Sequence, residues 1–158
     1  MQKILIPNTY VATSIGIFEM RGTELGIQHV QLCADLKEKP HLKIPKILRE
    51  AVWQLKEYFE GARKVFDLKL DVKSGTTFNQ SVWRILREVP YGQTTTYLKI
   101  AHKLGNPKAV RAVGMANKLN PIGIIIPCHR CIASNGDLQG YFYGLDVKRQ
   151  LLELENPM

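Results

Sequence analysis

Between Glu88 and Asp137 the chain carries no acidic residue, although Lys99, Lys103, Lys108, Arg111, Lys118 and Arg130 all fall inside those 48 positions. A surface that is merely solvated mixes its signs, so a gap of this length points to a polyanionic partner. The imbalance is regional. Residues 1–73 hold 12 basic and 9 acidic side chains, and residues 74–158 hold 10 and 5, within a net charge of +8. Cysteine is also scarce: Cys33, Cys128 and Cys131 are all there is. An odd number without framework spacing excludes a disulfide-stapled fold and favours free thiols in a reducing compartment. No apolar run reaches the 18 residues of a membrane-spanning helix. The opening "MQKILIPNTY" has neither the apolar length nor the small-residue cleavage site of a secretory signal. The expectation is a cytoplasmic protein with no membrane partner. At 45% hydrophobic and 23% charged over 158 residues, one domain or two small ones can bury a core.

Strand-like alternation marks residues 3–6 (KILI), 14–20 (SIGIFEM) and 25–33 (LGIQHVQLC), with RGTE turning between the last two. Residues 45–60 read as an amphipathic helix, with Pro45 in its first turn and Gly61 beyond its end. A short strand, FDLKLDV, follows, and KSGTT shows the composition shift of a boundary. The expected organisation is therefore a small α/β domain over 1–73, an antiparallel sheet with a helix, and a mostly α-helical domain over 74–158.

From Phe78 the pattern turns helical: FNQSVWRILREV, stopped by PYG, then TTTYLKIAHKLG and NPKAVRAVGMANKL. The last of these is expected to start after Asn106 as N-cap, with Pro107 at its first position. Two helices joined by so short a turn are the helix-turn-helix signature, and Lys108 and Arg111 lie on the second. Inside the acid-free window this favours DNA. IGIII reads as a short buried strand or extended segment, Pro127 stiffens the approach to Cys128, SNGD is a turn, and DVKRQLLELE is a final helix.

The segment IPCHRC admits several readings. A structural zinc site needs four ligands, and only Cys128, Cys131, a distant Cys33 and the scattered His29, His41, His102 and His129 exist. Covalent haem needs His after the second cysteine, where Ile132 stands. A thioredoxin-type pair opens a helix, whereas here turn residues follow. The remaining reading is one activated thiol: Cys128 with His129 as the neighbouring base. Taken singly, each could equally be a buried structural Cys and a satisfied core His.

IPCHR, preceded by RAVGMANKLNP and followed by GYFYGLDVKRQLLELE, resembles the O6-alkylguanine-DNA alkyltransferase (methylated-DNA–protein-cysteine methyltransferase) family. The likeness runs without a gap over residues 78–155. It implies DNA repair by direct reversal in duplex DNA containing O6-alkylguanine. The lesioned base is flipped into a pocket, and its alkyl group passes to Cys128. The thioether has no route back, so each molecule acts once.

The resemblance also assigns roles. His129 takes the thiol proton through a water, Glu155 orients the imidazole, and Tyr97 donates a proton to the leaving guanine. Asn120 braces the turn under the nucleophile, and Arg111 fills the gap left in the base stack. Thr96, Lys118 and Ser134 contact the DNA backbone; Tyr141 and Phe142 belong to the pocket, and Lys148 lies near the base. It implies a monomer without cofactor. Some relatives carry an N-terminal zinc site, but its ligands are not evident here, so no metal is expected. Cooperativity on DNA and activity on O4-alkylthymine stay open. Cys131 stands where the family is aliphatic and is expected to be a packed bystander. Phe142 and Tyr143 are bulkier than is usual in that loop, so a reshaped alkyl pocket is expected. The rival readings are a non-catalytic module that binds alkyl lesions, as in alkyltransferase-like relatives lacking the nucleophile, and a thiol–disulfide oxidoreductase.

Overall fold

The structure, a computed structural model, describes residues 5–33 and 43–157. The chain divides into two compact units, Met1–Lys73 and Ser74–Met158. In the first, β1 (Asn8–Thr13), β2 (Gly16–Thr23) and β3 (Gly26–Leu32) pair antiparallel in that order. Alternation puts Val11, Phe18, Met20 and Val30 on the buried face. On the other face Glu19 accepts from Tyr10 at 3.0 Å and from Arg21 Nε at 3.1 Å, and His29 Nε2 lies 3.2 Å away. A 3₁₀ turn, Lys46–Leu48, leads into α1 (Arg49–Phe59), which buries Ala51, Val52, Leu55 and Tyr58.

Two strand expectations change here. Of the expected strand KILI, residues 3 and 4 lie outside the described residues; Leu5 is exposed, and pairing among the described residues begins at Asn8. Pro7 has no N–H for a ladder, although its carbonyl accepts from Gly22 N at 3.2 Å. FDLKLDV forms no strand beyond one parallel bridge, Leu70 to Ile27. Asp67 N donates to Oε1 of buried Gln54 (2.9 Å) and its carbonyl accepts from Gln54 Nε2 (3.1 Å), the groups a ladder would use. The bridge itself needs Gly26, at φ +142°, where a Cβ would meet the Lys69 carbonyl oxygen at 2.7 Å.

The second unit begins with α2 (Thr77–Arg87), whose first turn is capped by Thr76 Oγ1 accepting from Asn79 N. Its stripe Val82, Trp83 and Leu86 is buried. Two short parallel strands follow, β4 (Thr95–Thr96) and β5 (Cys131–Ile132). Between them run α3 (Tyr97–Lys103) and α4 (Val110–Lys118), the helix-turn-helix pair; α5 (Leu145–Glu155) completes the unit. The indole of Trp83 donates to the Ala116 carbonyl at 2.8 Å and ties α2 to α4.

α3 ends in a Schellman closure: Gly105, at φ +77°, donates to His102 O, and Asn106 donates to Ala101 O. α4 starts three residues later than Pro107. Asn106 instead organises a turn, its Oδ1 accepting from Lys108 N at 3.2 Å and its carbonyl from Ala109 N at 3.0 Å. The architecture is the expected one, a small antiparallel sheet with a helix and then a helical unit containing a helix-turn-helix. Among the described residues no helix is long and apolar enough to cross a membrane.

Candidate active site

The thiol is presented by a braced turn rather than by the expected strand. Asn120, buried, accepts from Ile122 N (2.9 Å) and donates through Nδ2 to Ile126 O (2.8 Å). Inside that brace Ile126 N returns to Ile122 O at 3.0 Å, and Ile124 is driven to φ +70°. A β-branched residue there is strained by about 1–3 kcal/mol and persists only where its surroundings impose it. Those surroundings are apolar, since Ile122 to Ile126 is buried at every side chain. Pro127 then delivers the chain into a 3₁₀ turn, Cys128–Arg130.

That turn sends its residues to different places. Cys128, 7% exposed, lies on a cavity of about 350 Å³. Tyr97 from the start of α3 and Tyr141 from the loop before α5 are among its walls. Arg111, Gly114, Met115 and Lys118 bring in the outer face of α4, a helical i, i+3, i+4, i+7 stripe. Gly114 keeps this face low, since a Cβ there would meet nothing within 4 Å, while Val113 and Ala116 pack inward. Phe142 stands at the mouth, 66% exposed. It forms a rim and not a plug, and Tyr143, edge-on to it, does not line the cavity.

His129 points the other way and is fully buried. Its Nε2 lies 2.7 Å from Glu155 Oε1, while its Nδ1 has no hydrogen-bond partner among the described residues. Burial works to raise the Glu155 carboxyl, but hydrogen bonds from His129 and Arg130 outweigh it and hold it down at about 2. An ionised carboxylate only accepts, so Nε2 carries the imidazole hydrogen and Nδ1 is the bare, basic nitrogen. Burial lowers the His129 pKa, against the pull of Glu155, and so favours a neutral imidazole. Burial likewise pushes the Cys128 thiol up, opposed by an Asn120 hydrogen bond and the Lys148 charge. The resting pair is thus thiol and neutral imidazole, not the preformed thiolate expected of an activated cysteine.

Tyr97 Oη donates to Gln139 O at 2.8 Å, and burial pushes its phenol to about 12, so it holds its proton at neutral pH. Lys148 is not among the residues that line the cavity but contacts one of them, Tyr97. It is fully buried and lies behind the cavity wall, with Nζ donating to Gln139 O (3.1 Å), Gly140 O (3.3 Å) and Tyr97 Oη (3.5 Å). These three acceptors match the three donors of an ammonium, which thereby pins the Gln139–Gly140 loop. Cys131 is fully buried and pushed up to about 12 by that burial. Thr96 Oγ1 caps α3 by accepting from Lys99 N, and Ser134 sits exposed on the turn closed by Ala133 N to Asp137 O. Arg111 and Lys118 are exposed at the cavity.

Sequence reasoning missed one member of the site. Arg130 grips Glu155 with two guanidinium nitrogens at 2.9 and 2.8 Å and reaches Val89 O at 2.7 Å. The available signal was an arginine within IIIPCHRCI, where the apolar flanks read as buried.

The two units match two family models end to end. Residues 6–72 match the 6-O-methylguanine DNA methyltransferase, ribonuclease-like domain, and residues 77–157 match the DNA binding domain of the same methyltransferase. The chain belongs to that family. A methylated-DNA--protein-cysteine methyltransferase of Methanosarcina barkeri is 49% identical over 152 residues, covering 92% of this chain and 94% of that one. Among solved structures, the O6-methylguanine methyltransferase of Mycobacterium tuberculosis superposes with a TM-score of 0.84 at 39% identity, covering 96% of this chain and 93% of that chain. The Mycobacterium tuberculosis OGT in complex with DNA gives 0.82 at 41% identity, over 92% and 90%. Family membership thus spans both units.

Proposed function

We propose that the chain repairs O6-alkylguanine in double-stranded DNA by transferring the alkyl group once, irreversibly, to Cys128. The observation that carries this reading is the thiol at the cavity behind the exposed face of α4, followed in the chain by a buried imidazole paired to Glu155. A base inside the helix cannot reach a 7% exposed sulfur, so the lesioned nucleotide must leave the stack. Arg111, exposed on α4 at the cavity, is suited to occupy the space it leaves, and Lys118 to meet the backbone.

The chemistry balances within these groups. The thiol proton passes through a water to His129 Nδ1, and Glu155 stabilises the imidazolium. The thiolate sulfur bonds to the alkyl carbon as that carbon's bond to O6 breaks, and the electron pair stays on the guanine. Tyr97 gives its proton to the purine so that it leaves neutral, with the Lys148 ammonium 3.5 Å behind the phenol oxygen to stabilise the phenolate. The products are S-alkylcysteine and guanine; His129 gives its proton back to water and the Tyr97 phenolate takes one up, so no net proton is released.

The alternative, a non-catalytic lesion-binding module, keeps the pocket and needs no thiol. Wild type and Cys128→Ser presented with duplex containing O6-methylguanine separate the two. Transfer by the wild type alone, with binding retained by Cys128→Ser, supports repair. Binding without transfer by both supports the module.

A further inference from the structure

Arg130 stands two residues from the reacting thiol yet takes no part in the cavity wall. Its guanidinium occupies both oxygens of Glu155 in a fork, Nε to Oε2 and Nη2 to Oε1, while Nη1 is anchored on Val89 O beyond the end of α2. The Tyr91 ring lies 5.8 Å from its central carbon, and Tyr91 Oη reaches Leu154 O at 3.2 Å. Glu155 is the last residue of α5, where the partial negative charge of the helix end opposes a carboxylate. An ionised group at that place needs a buried cation, and Arg130 supplies it. Oε1 is shared, with His129 Nε2 at 2.7 Å and Arg130 Nη2 at 2.8 Å. The carboxylate therefore cannot rotate away from the imidazole without also breaking the fork.

We infer that Arg130 is a positioning residue for alkyl transfer, locking Glu155 so that His129 keeps the tautomer whose Nδ1 is free to take the thiol proton. The inference rests on the transfer to Cys128 proposed above. A second consequence follows from charge. The groups facing His129 are Glu155 and Lys148 from α5 and Arg130 from its own turn, with Cys128 as its chain neighbour. Tyr91, from the segment after α2, faces Glu155 and Arg130. Arg130 and Lys148 both discourage a proton on the imidazole, and Arg130 is the one that shares its carboxylate oxygen. Arg130 thus extends to lower pH the range over which His129 is an empty base.

Single-turnover transfer from an O6-methylguanine duplex to the full chain, followed from pH 5 to 9, tests this with Arg130→Gln and Arg130→Lys. Arg130→Gln removes the charge and the fork. Its plateau rate falls at least tenfold, and its acid limb moves up by on the order of one pH unit, because one neighbouring cation is lost. Arg130→Lys keeps the charge without the fork, so its plateau falls while its limb stays with the wild type. A merely structural arginine would lower the melting temperature and leave the limb in place. An Arg130→Gln limb coincident with the wild type overturns the inference. Should that variant not fold, Arg130→Lys still decides, since a wild-type plateau in it overturns the locking role. Absence of transfer by the wild type would instead remove the reading on which the inference rests.

Discussion

His129 Nε2 lies 2.7 Å from Glu155 Oε1, a contact closed between residues 26 apart and with both side chains out of solvent. It fixes which imidazole nitrogen can act as a base, and it makes stability depend on acid. Glu155 is held down at about 2 from an ordinary 4.5, so its contribution is whole above pH about 4.5 and is lost as pH falls toward 2. The size is on the order of 3 kcal/mol at 1.36 kcal/mol per unit. His129 works in the same direction: its lowered pKa means the unfolded chain takes up a proton first as pH drops below about 6.5. Chemical denaturation from pH 7 to 3 should show this decline, and Glu155→Gln should start lower at pH 7 and decline less steeply. Parallel curves for the two proteins would contradict the assignment.

Asn120 satisfies two buried backbone groups at once and holds Ile124 in its left-handed conformation. Asn120→Ala leaves the Ile122 N–H and the Ile126 carbonyl without that partner, at about 1–3 kcal/mol each when buried. A loss of about 2–4 kcal/mol in urea unfolding is expected, together with slower transfer, because the turn no longer aims the sulfur. Asn120→Asp keeps the acceptor and loses the donor, and should fall between. Unchanged transfer in Asn120→Ala would detach the brace from the chemistry.

Cys131 follows the nucleophile by three residues but is fully buried, pairs in β5 with Thr95 of β4 and has a thiol pushed to about 12. Cys131→Ser should retain transfer within a few fold and Cys128→Ser should abolish it, as read by labelled alkyl transferred to protein. Equal loss in both would point to a working cysteine pair.

Arg111 and Lys118 share the exposed face of α4. Arg111→Ala should slow transfer from duplex at least tenfold while sparing transfer from a free O6-alkylguanine base, which needs no flipping. Lys118→Ala should lower affinity for all sequences alike and reduce the salt slope of binding by about 0.9, the value for one phosphate contact. Equal effects of Arg111→Ala on duplex and free base would place that residue in the pocket chemistry instead.

Much of the second unit was legible because its signals are local. The helical run from Phe78, its PYG stop, the short turn between α3 and α4 and the basic residues Arg111 and Lys118 each declare themselves within a few residues. The turn at Ile122–Ile126 was not, since five apolar residues read as a strand, and only Asn120 and the packing around it force Ile124 to φ +70°. FDLKLDV failed for a similar reason: the backbone groups of Asp67 are taken by Gln54 on a different element. Cys128 and His129 were visible as a motif, whereas Glu155 came through family resemblance, because spacing alone cannot join α5 to the thiol turn. The hidden part was Arg130. Its partners, Val89, Tyr91 and Glu155, are brought together only by the fold.

The most direct test of the account is intact-protein mass spectrometry after mixing the chain with excess duplex carrying O6-methylguanine, followed by peptide mapping. The account predicts a gain of one methyl group per molecule and no more, located on Cys128. An unchanged mass with the lesion duplex still bound, or a methyl group on any other residue, would contradict it.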